Sequence, residues 1–112
     1  MDDDANSLIS ATPAPPYYAV IFTSIRTEGD NGYAAMAQAM AELASRQPGY
    51  LGAESARDGI GITVSYWRDR ESIAAWKRNV DHLEAQRSGK QHLYEFYRVR
   101  IALVEREYGM FR

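Results

Sequence analysis

Residues 17–25, Tyr-Tyr-Ala-Val-Ile-Phe-Thr-Ser-Ile, are apolar on both sides of an extended chain. Alternation puts Tyr18, Val20 and Phe22 on one side and Ala19, Ile21 and Ile25 on the other. β-branched and aromatic residues at this density specify a strand. A strand of a one-sided antiparallel sheet alternates apolar with polar. This one does not, so the fold must bring cover to both faces of the sheet that contains it.

The rest of the chain supplies the elements. Residues 27–32 form a turn in which Asp30 or Asn31 is available as a helix cap. Over residues 33–46, Tyr33, Met36, Met40, Leu43 and Ala44 recur at the spacing of one helix face, and Gln47-Pro48-Gly49 ends the run. Residues 50–57 read as a second strand. Asp58-Gly59 is a hairpin signal, because both residue types tolerate positive φ. In the third strand, residues 60–67, Ile60, Ile62, Val64 and Tyr66 share one face, and Gly61, Thr63, Ser65 and Trp67 the other. Arg68-Asp69, or Ser72, caps a second helix whose Ile73, Trp76, Val80 and Leu83 repeat the helical spacing until Ser88-Gly89. Residues 93–105 form a long last strand with Tyr97, Val99, Ile101 and Leu103 on one side.

The order β-α-β-β-α-β predicts an α+β, ferredoxin-like βαββαβ fold: a four-stranded antiparallel sheet with both helices on one face. The other face, apolar along the first strand, is then a larger patch than a soluble monomer usually leaves wet. The expected cover is a second copy, sheet against sheet, in a homodimer.

A chain of 112 residues fits one domain, expected over residues 17–108, with a short C-terminal tail at 109–112. Residues 1–16 hold Asp2, Asp3, Asp4 and three prolines, and no Lys or Arg, and are expected to be a flexible tail. The formal net charge is −2, and without those three aspartates the remainder stands at +1. So neutral a body has no basic field to attract nucleic acid or an acidic membrane. The absence of cysteine excludes disulfides, thiolate nucleophiles and Cys-based metal sites. No apolar run approaches the roughly 20 residues that span a bilayer. Met-Asp-Asp-Asp has the wrong charge for a secretory signal, so a cytoplasmic location is expected.

Five local patterns occur in a specific order: Pro48-Gly49-Tyr50-Leu51-Gly52, Ser65-Tyr66-Trp67-Arg68-Asp69, Ser72 to Lys77, His82 to Lys90, and Tyr94 to Ile101. In this order and spacing the chain resembles the antibiotic biosynthesis monooxygenase family over roughly residues 17–107. The resemblance implies a dimeric α/β barrel, with a pocket in each subunit between sheet and helices. Some family members are oxygenases of aromatic polyketides that need no cofactor. Another branch degrades haem. That branch has a Tyr-Trp closing the third strand, a Trp nine residues on and a ligating His ten further. Here Trp67 and Trp76 match, but Gln86 stands at the ligand position, and Thr23 or Ser24 replaces an Asn of the first strand. Gln offers no imidazole nitrogen to iron. Haem binding or degradation through a differently placed His82 is therefore the weakest of the readings.

On the second helix, Asn79, His82 and Gln86 form a polar ridge beside the apolar stripe of Trp76, Val80 and Leu83. The ridge is either a solvated helix edge or the polar lining of a pocket, in which His82 would move a proton near neutral pH. Trp76 is either a core aromatic or a wall that stacks on a planar ligand, and the same choice applies to Trp67. Tyr94, with His92, Phe96 and Tyr97, either packs against helices or partner, or offers a phenol to a ligand. Arg98 and Arg100 point the same way from the last strand and call for carboxylate partners, with Glu54 and Glu95 as candidates. His82 and His92 lack an acidic neighbour at ligand spacing, so no metal site and no cofactor is expected.

The functional expectation is a cofactor-independent monooxygenase acting on a planar, oxidisable small molecule. Its catalytic candidates are His82 and Trp76, and its substrate-binding candidates are Asn79, Gln86, Tyr94, Trp67 and Thr23. The alternative is a dimer that binds a small ligand, or serves a structural purpose, without catalysis.

Overall fold

The computed structural model describes residues 8–30, 32–86 and 93–110. Its elements are β1 (Tyr17–Arg26), α1 (Tyr33–Ser45), β2 (Tyr50–Asp58), β3 (Ile60–Trp67), α2 (Arg70–Gln86) and β4 (Tyr94–Val104). The strands form one antiparallel sheet in the order β2-β3-β1-β4. This is the ferredoxin-like α+β arrangement expected from the hydrophobic periodicities. Among the described residues, no helix is long and apolar enough to cross a membrane.

Local chemistry explains the helix starts. The Asp30 carboxylate accepts the N–H of Gly32 at 2.9 Å and of Ala34 at 3.3 Å, closing orphan donors of α1. Asn31, the other candidate cap, lies outside the described residues. For α2, Asp69 Oδ1 accepts the Ser72 N–H at 2.8 Å. These bonds to Ser72, with Arg68 alongside, hold the Asp69 carboxyl down at about 2. Gly49 fixes where α2 begins: its φ is +85°, and a Cβ there would lie 2.1 Å from Ser72 Oγ. Only glycine permits both that backbone and that approach.

Register assigns the faces. Tyr18, Phe22 and Ser24 of β1 stand opposite Trp67, Thr63 and Gly61 of β3, and opposite Leu103, Val99 and Tyr97 of β4. This is the helix-bearing face, because Trp67 stacks on Trp76 of α2 with ring centroids 6.0 Å apart. The helices lie closest to β2 and β3. Toward β4 the same face stays open, with Val99 46% and Ile101 55% exposed. The helix-free face carries Ile25, Ile60, Ile62 and Phe96, all exposed.

Two expectations need correction. The tail was expected to be flexible up to Tyr17, but residues 8–16 include a stretch held on the sheet. Ser10 donates its N–H to Glu54 Oε2 at 3.0 Å and its hydroxyl to Ala53 O at 3.0 Å. Thr12 bonds both Tyr17 and Glu107 at 2.8 Å, and the Tyr17 phenol donates to Glu107. A polar segment needs no core of its own when the edge of a sheet offers partners. Second, Glu54 does not pair with Arg98 or Arg100. Its carboxylate accepts the Tyr66 phenol as well as the Ser10 N–H. β2 and β4 are opposite edges of the sheet, so three interstrand spacings, roughly 14 Å, separate them.

Candidate functional site

The helix-bearing face has two aromatic clusters, one at each end. At the end where β3 runs into α2, Trp67 is fully buried. Tyr50 meets its ring edge-on at 5.5 Å, Trp76 stacks on it, and its indole N–H donates to Ser65 Oγ at 2.8 Å. Burial raises the Tyr50 phenol above its ordinary value. This end is sealed.

At the other end, Phe22 stands 5.2 Å from Tyr94 and 5.4 Å from Tyr97, and Tyr33 of α1 meets Tyr94 edge-on at 5.9 Å. Strict alternation along β4 would send Tyr94 and Tyr97 to opposite faces. A register shift intervenes: Phe96 pairs with Ile25 but Tyr94 pairs with Arg26, leaving Glu95 as the extra residue. The bulge brings both phenols to one face. Tyr94 is pushed up to about 12, first by burial and then by the Tyr33 phenol beside it, with Arg57 and Arg26 pulling the other way. The Arg26 guanidinium lies 3.8 Å from the Tyr33 ring centroid, and that of Arg57 5.6 Å from it. The Arg57 side chain donates to the hydroxyl of buried Ser24 at 2.7 Å.

Of the residues proposed from sequence, Trp67 and Trp76 touch each other, and Tyr94 belongs to the second cluster. Asn79 is exposed and donates to Gln47 Oε1 at 3.1 Å and to Ala75 O at 3.3 Å, tying α2 to the end of α1. His82 and Gln86 are exposed on α2. Thr23 points to the helix-free face, opposite Ile62 and Arg98. His92 lies outside the described residues. The group that sequence reasoning did not single out is Arg26, Arg57, Tyr33 and Ser24. Part of its signal was present: Arg57 and Gly61 are equidistant from the Gly59 turn, and Arg26 continues the alternation of Phe22 and Ser24.

An uncharacterized Bacillus subtilis protein, YqjZ, is 50% identical over 101 residues, covering 88% of this chain and 89% of its own. Over 48 residues the chain is 33% identical to a jasmonate monooxygenase of Pyricularia oryzae, covering 43% of this chain but 22% of that one. The crystal structure of PA3566 from Pseudomonas aeruginosa superposes with a TM-score of 0.61 at 16% identity, over 86% of this chain and 99% of that one, which speaks to the fold. The family model for antibiotic biosynthesis monooxygenases matches residues 16–88, more than half of the sequence, and the chain belongs to that family.

Proposed function

We propose that this protein is a cofactor-independent monooxygenase that acts, as a homodimer, on a planar, oxidisable small molecule. Family membership supports an activity of the monooxygenase kind. The observation that carries the planar substrate is the open aromatic strip on the helix-bearing face. Phe22, Tyr94 and Tyr97 form one ring cluster, and Tyr97 is 65% exposed, beside the exposed Val99 and Ile101. Aromatic and aliphatic side chains without cover, with phenols at one end, suit a flat molecule that carries oxygen functions.

The chemistry asks little of the protein. A methylene between electron-withdrawing groups loses a proton, and the resulting carbanion reduces dioxygen directly. One oxygen atom stays on that carbon as a carbonyl and the other leaves as water, so no outside reductant is consumed. The chain would supply a dry wall, a proton acceptor and orienting hydrogen bonds. In this reading Phe22, Tyr97 and Val99 are the wall, while Trp76 stacks on Trp67 in the sealed end. His82 takes the proton, and Tyr94, Asn79 and Gln86 orient the substrate. Oxygen-electrode measurements with anthrone-type compounds, which carry such a methylene, test this. Uptake that depends on the protein and falls at least about tenfold in His82→Ala is expected. Uptake unchanged in that variant removes the acid/base assignment. No uptake with any such compound removes the oxygenase.

A second reading, a dimer that binds a small ligand without catalysis, is favoured by one observation: Asn79, His82 and Gln86 are all exposed. Saturable binding of the same compounds without oxygen uptake would select it. Dimerisation itself rests on the exposed apolar residues of the helix-free face, Ile25, Ile60, Ile62 and Phe96. Light scattering at micromolar concentration should return twice the 12.7 kDa chain mass, and a monomeric mass would refute it.

A further inference from the structure

Where β1 runs out toward α1, an open concavity of about 530 Å³ is lined by Arg26, Thr27, Gly29, Asp30, Arg57 and Gly59. Its two cations converge, since both guanidiniums lie against the same Tyr33 ring. Among the described residues the ion pairs are Arg68–Asp69 and Lys77–Asp81, so neither lining arginine has a carboxylate partner there. Asp30 also lines the concavity, but its oxygens accept the N–H groups of Gly32, just before α1, and of Ala34, within it.

The remaining contacts of the two arginines are few and neutral. Arg26 donates through Nη2 to Gly29 O at 3.2 Å, while its Nε is the one buried side-chain polar atom without a hydrogen-bond partner among the described residues. Arg57 reaches Ser24 by crossing Gly61, where a Cβ would lie 2.1 Å from its Nη2. The missing side chain at position 61 is the channel that aims Arg57 inward. Adjacent like charges call for a counter-charge. A planar oxoanion supplies it, because a guanidinium presents its N–H groups as a fork matched to two oxygens.

We propose that Arg26 and Arg57 form a binding site for an oxoanion, the carboxylate or phosphate group of a small molecule, in this concavity. The site needs no oxygenase reaction and stands whether or not the reading above survives.

The full-length chain is titrated at low ionic strength with sodium benzoate and, separately, with inorganic phosphate. Binding is followed by calorimetry and by the side-chain Nε–H signal of Arg26. Saturable binding that moves this signal is expected. It should weaken roughly tenfold or more in Arg57→Gln. It should weaken comparably in Gly61→Ala, which keeps both charges but displaces Arg57. Arg98→Gln, on the helix-free face, should bind as the parent does. Binding of both probes means that a bare oxoanion suffices, and binding of benzoate alone means that the group arrives on an apolar body. Circular dichroism checks that the variants fold. The proposal is overturned if neither probe saturates, or if Arg57→Gln and Gly61→Ala, once folded, bind with the parent's affinity.

Discussion

The two ends of the helix-bearing face are built from the same residue types and come out differently. At one end Trp67 is enclosed by Tyr50 and Trp76 and reaches no solvent. At the other, Phe22, Tyr33, Tyr94 and Tyr97 assemble beside two arginines and an open concavity. Both are aromatic clusters, yet the first serves packing and the second leaves polar groups facing space. What separates them is the backbone nearby. Gly49 lets the start of α2 close down beside the Trp67 end. At the far end a bulge in β4 turns Tyr94 and Tyr97 to one face, beside the open concavity. An aromatic residue in a small domain is thus read by what seals it, not by its type.

Replacing the sealed aromatic should give the largest effect. Trp67→Ala is expected to cost about 3–5 kcal/mol, the usual range for an aromatic lost from a packed core, as a lower urea midpoint. If it costs no more than Tyr97→Ala, the contrast between the two ends is wrong.

The open end should show itself in alkali. The folded protein holds the Tyr94 proton up to about 12, against an ordinary phenol near 10. The folded state therefore binds more protons than the unfolded one above pH 10, and stability falls as pH rises from about 10 to 12. Tyr94→Phe should flatten that decline in urea titrations across the window. An unchanged slope would mean that burial does not act on Tyr94 as described.

A smaller effect is expected at the hinge between β3 and α2. With its carboxyl held at about 2, Asp69 keeps its charge in the folded state to lower pH than in the unfolded state. Its contribution is full above the unfolded value near 4 and is lost as pH falls toward 2. Asp69→Ala should lower the melting temperature by about 4–8 °C at pH 7, with the gap to the parent closing in acid. A gap independent of pH would assign the effect to helix propensity rather than to the cap. The smallest effect should be at His82, exposed on α2. Changing it to Ala is expected to alter stability by no more than about 0.5 kcal/mol, so that a loss of turnover there reports chemistry alone.

Much of the fold was legible because its signals are local. Tyr18-Val20-Phe22 and Ile60-Ile62-Val64 alternate, and Ile73-Trp76-Val80-Leu83 repeat every three to four residues. The Asp30 and Asp69 caps sit one to three residues from the helices they start. The site was legible only in part. Trp67 and Trp76, each read as a core aromatic or a ligand wall, stack on each other. Thr23 was grouped with them but faces the other side, because its place in the alternation is odd where that of Phe22 is even. Asn79, set down as pocket lining, is engaged with Gln47 thirty-two residues away. No periodicity within α2 reports such a partner.

The sequence by itself therefore determined which segments are strands and helices, which residues share a face of each, and where the helices begin. These follow from backbone periodicity and short-range hydrogen bonding, which act within a few residues. Only the tertiary structure decided that Arg26 and Arg57 meet over one Tyr33 ring, that a bulge turns Tyr94 and Tyr97 to the same side, and that Ser10 and Thr12 dock on the sheet. Each depends on interstrand register or on partners more than thirty residues apart, or on both. Register is settled by the summed packing of the whole sheet rather than by any residue's own preference.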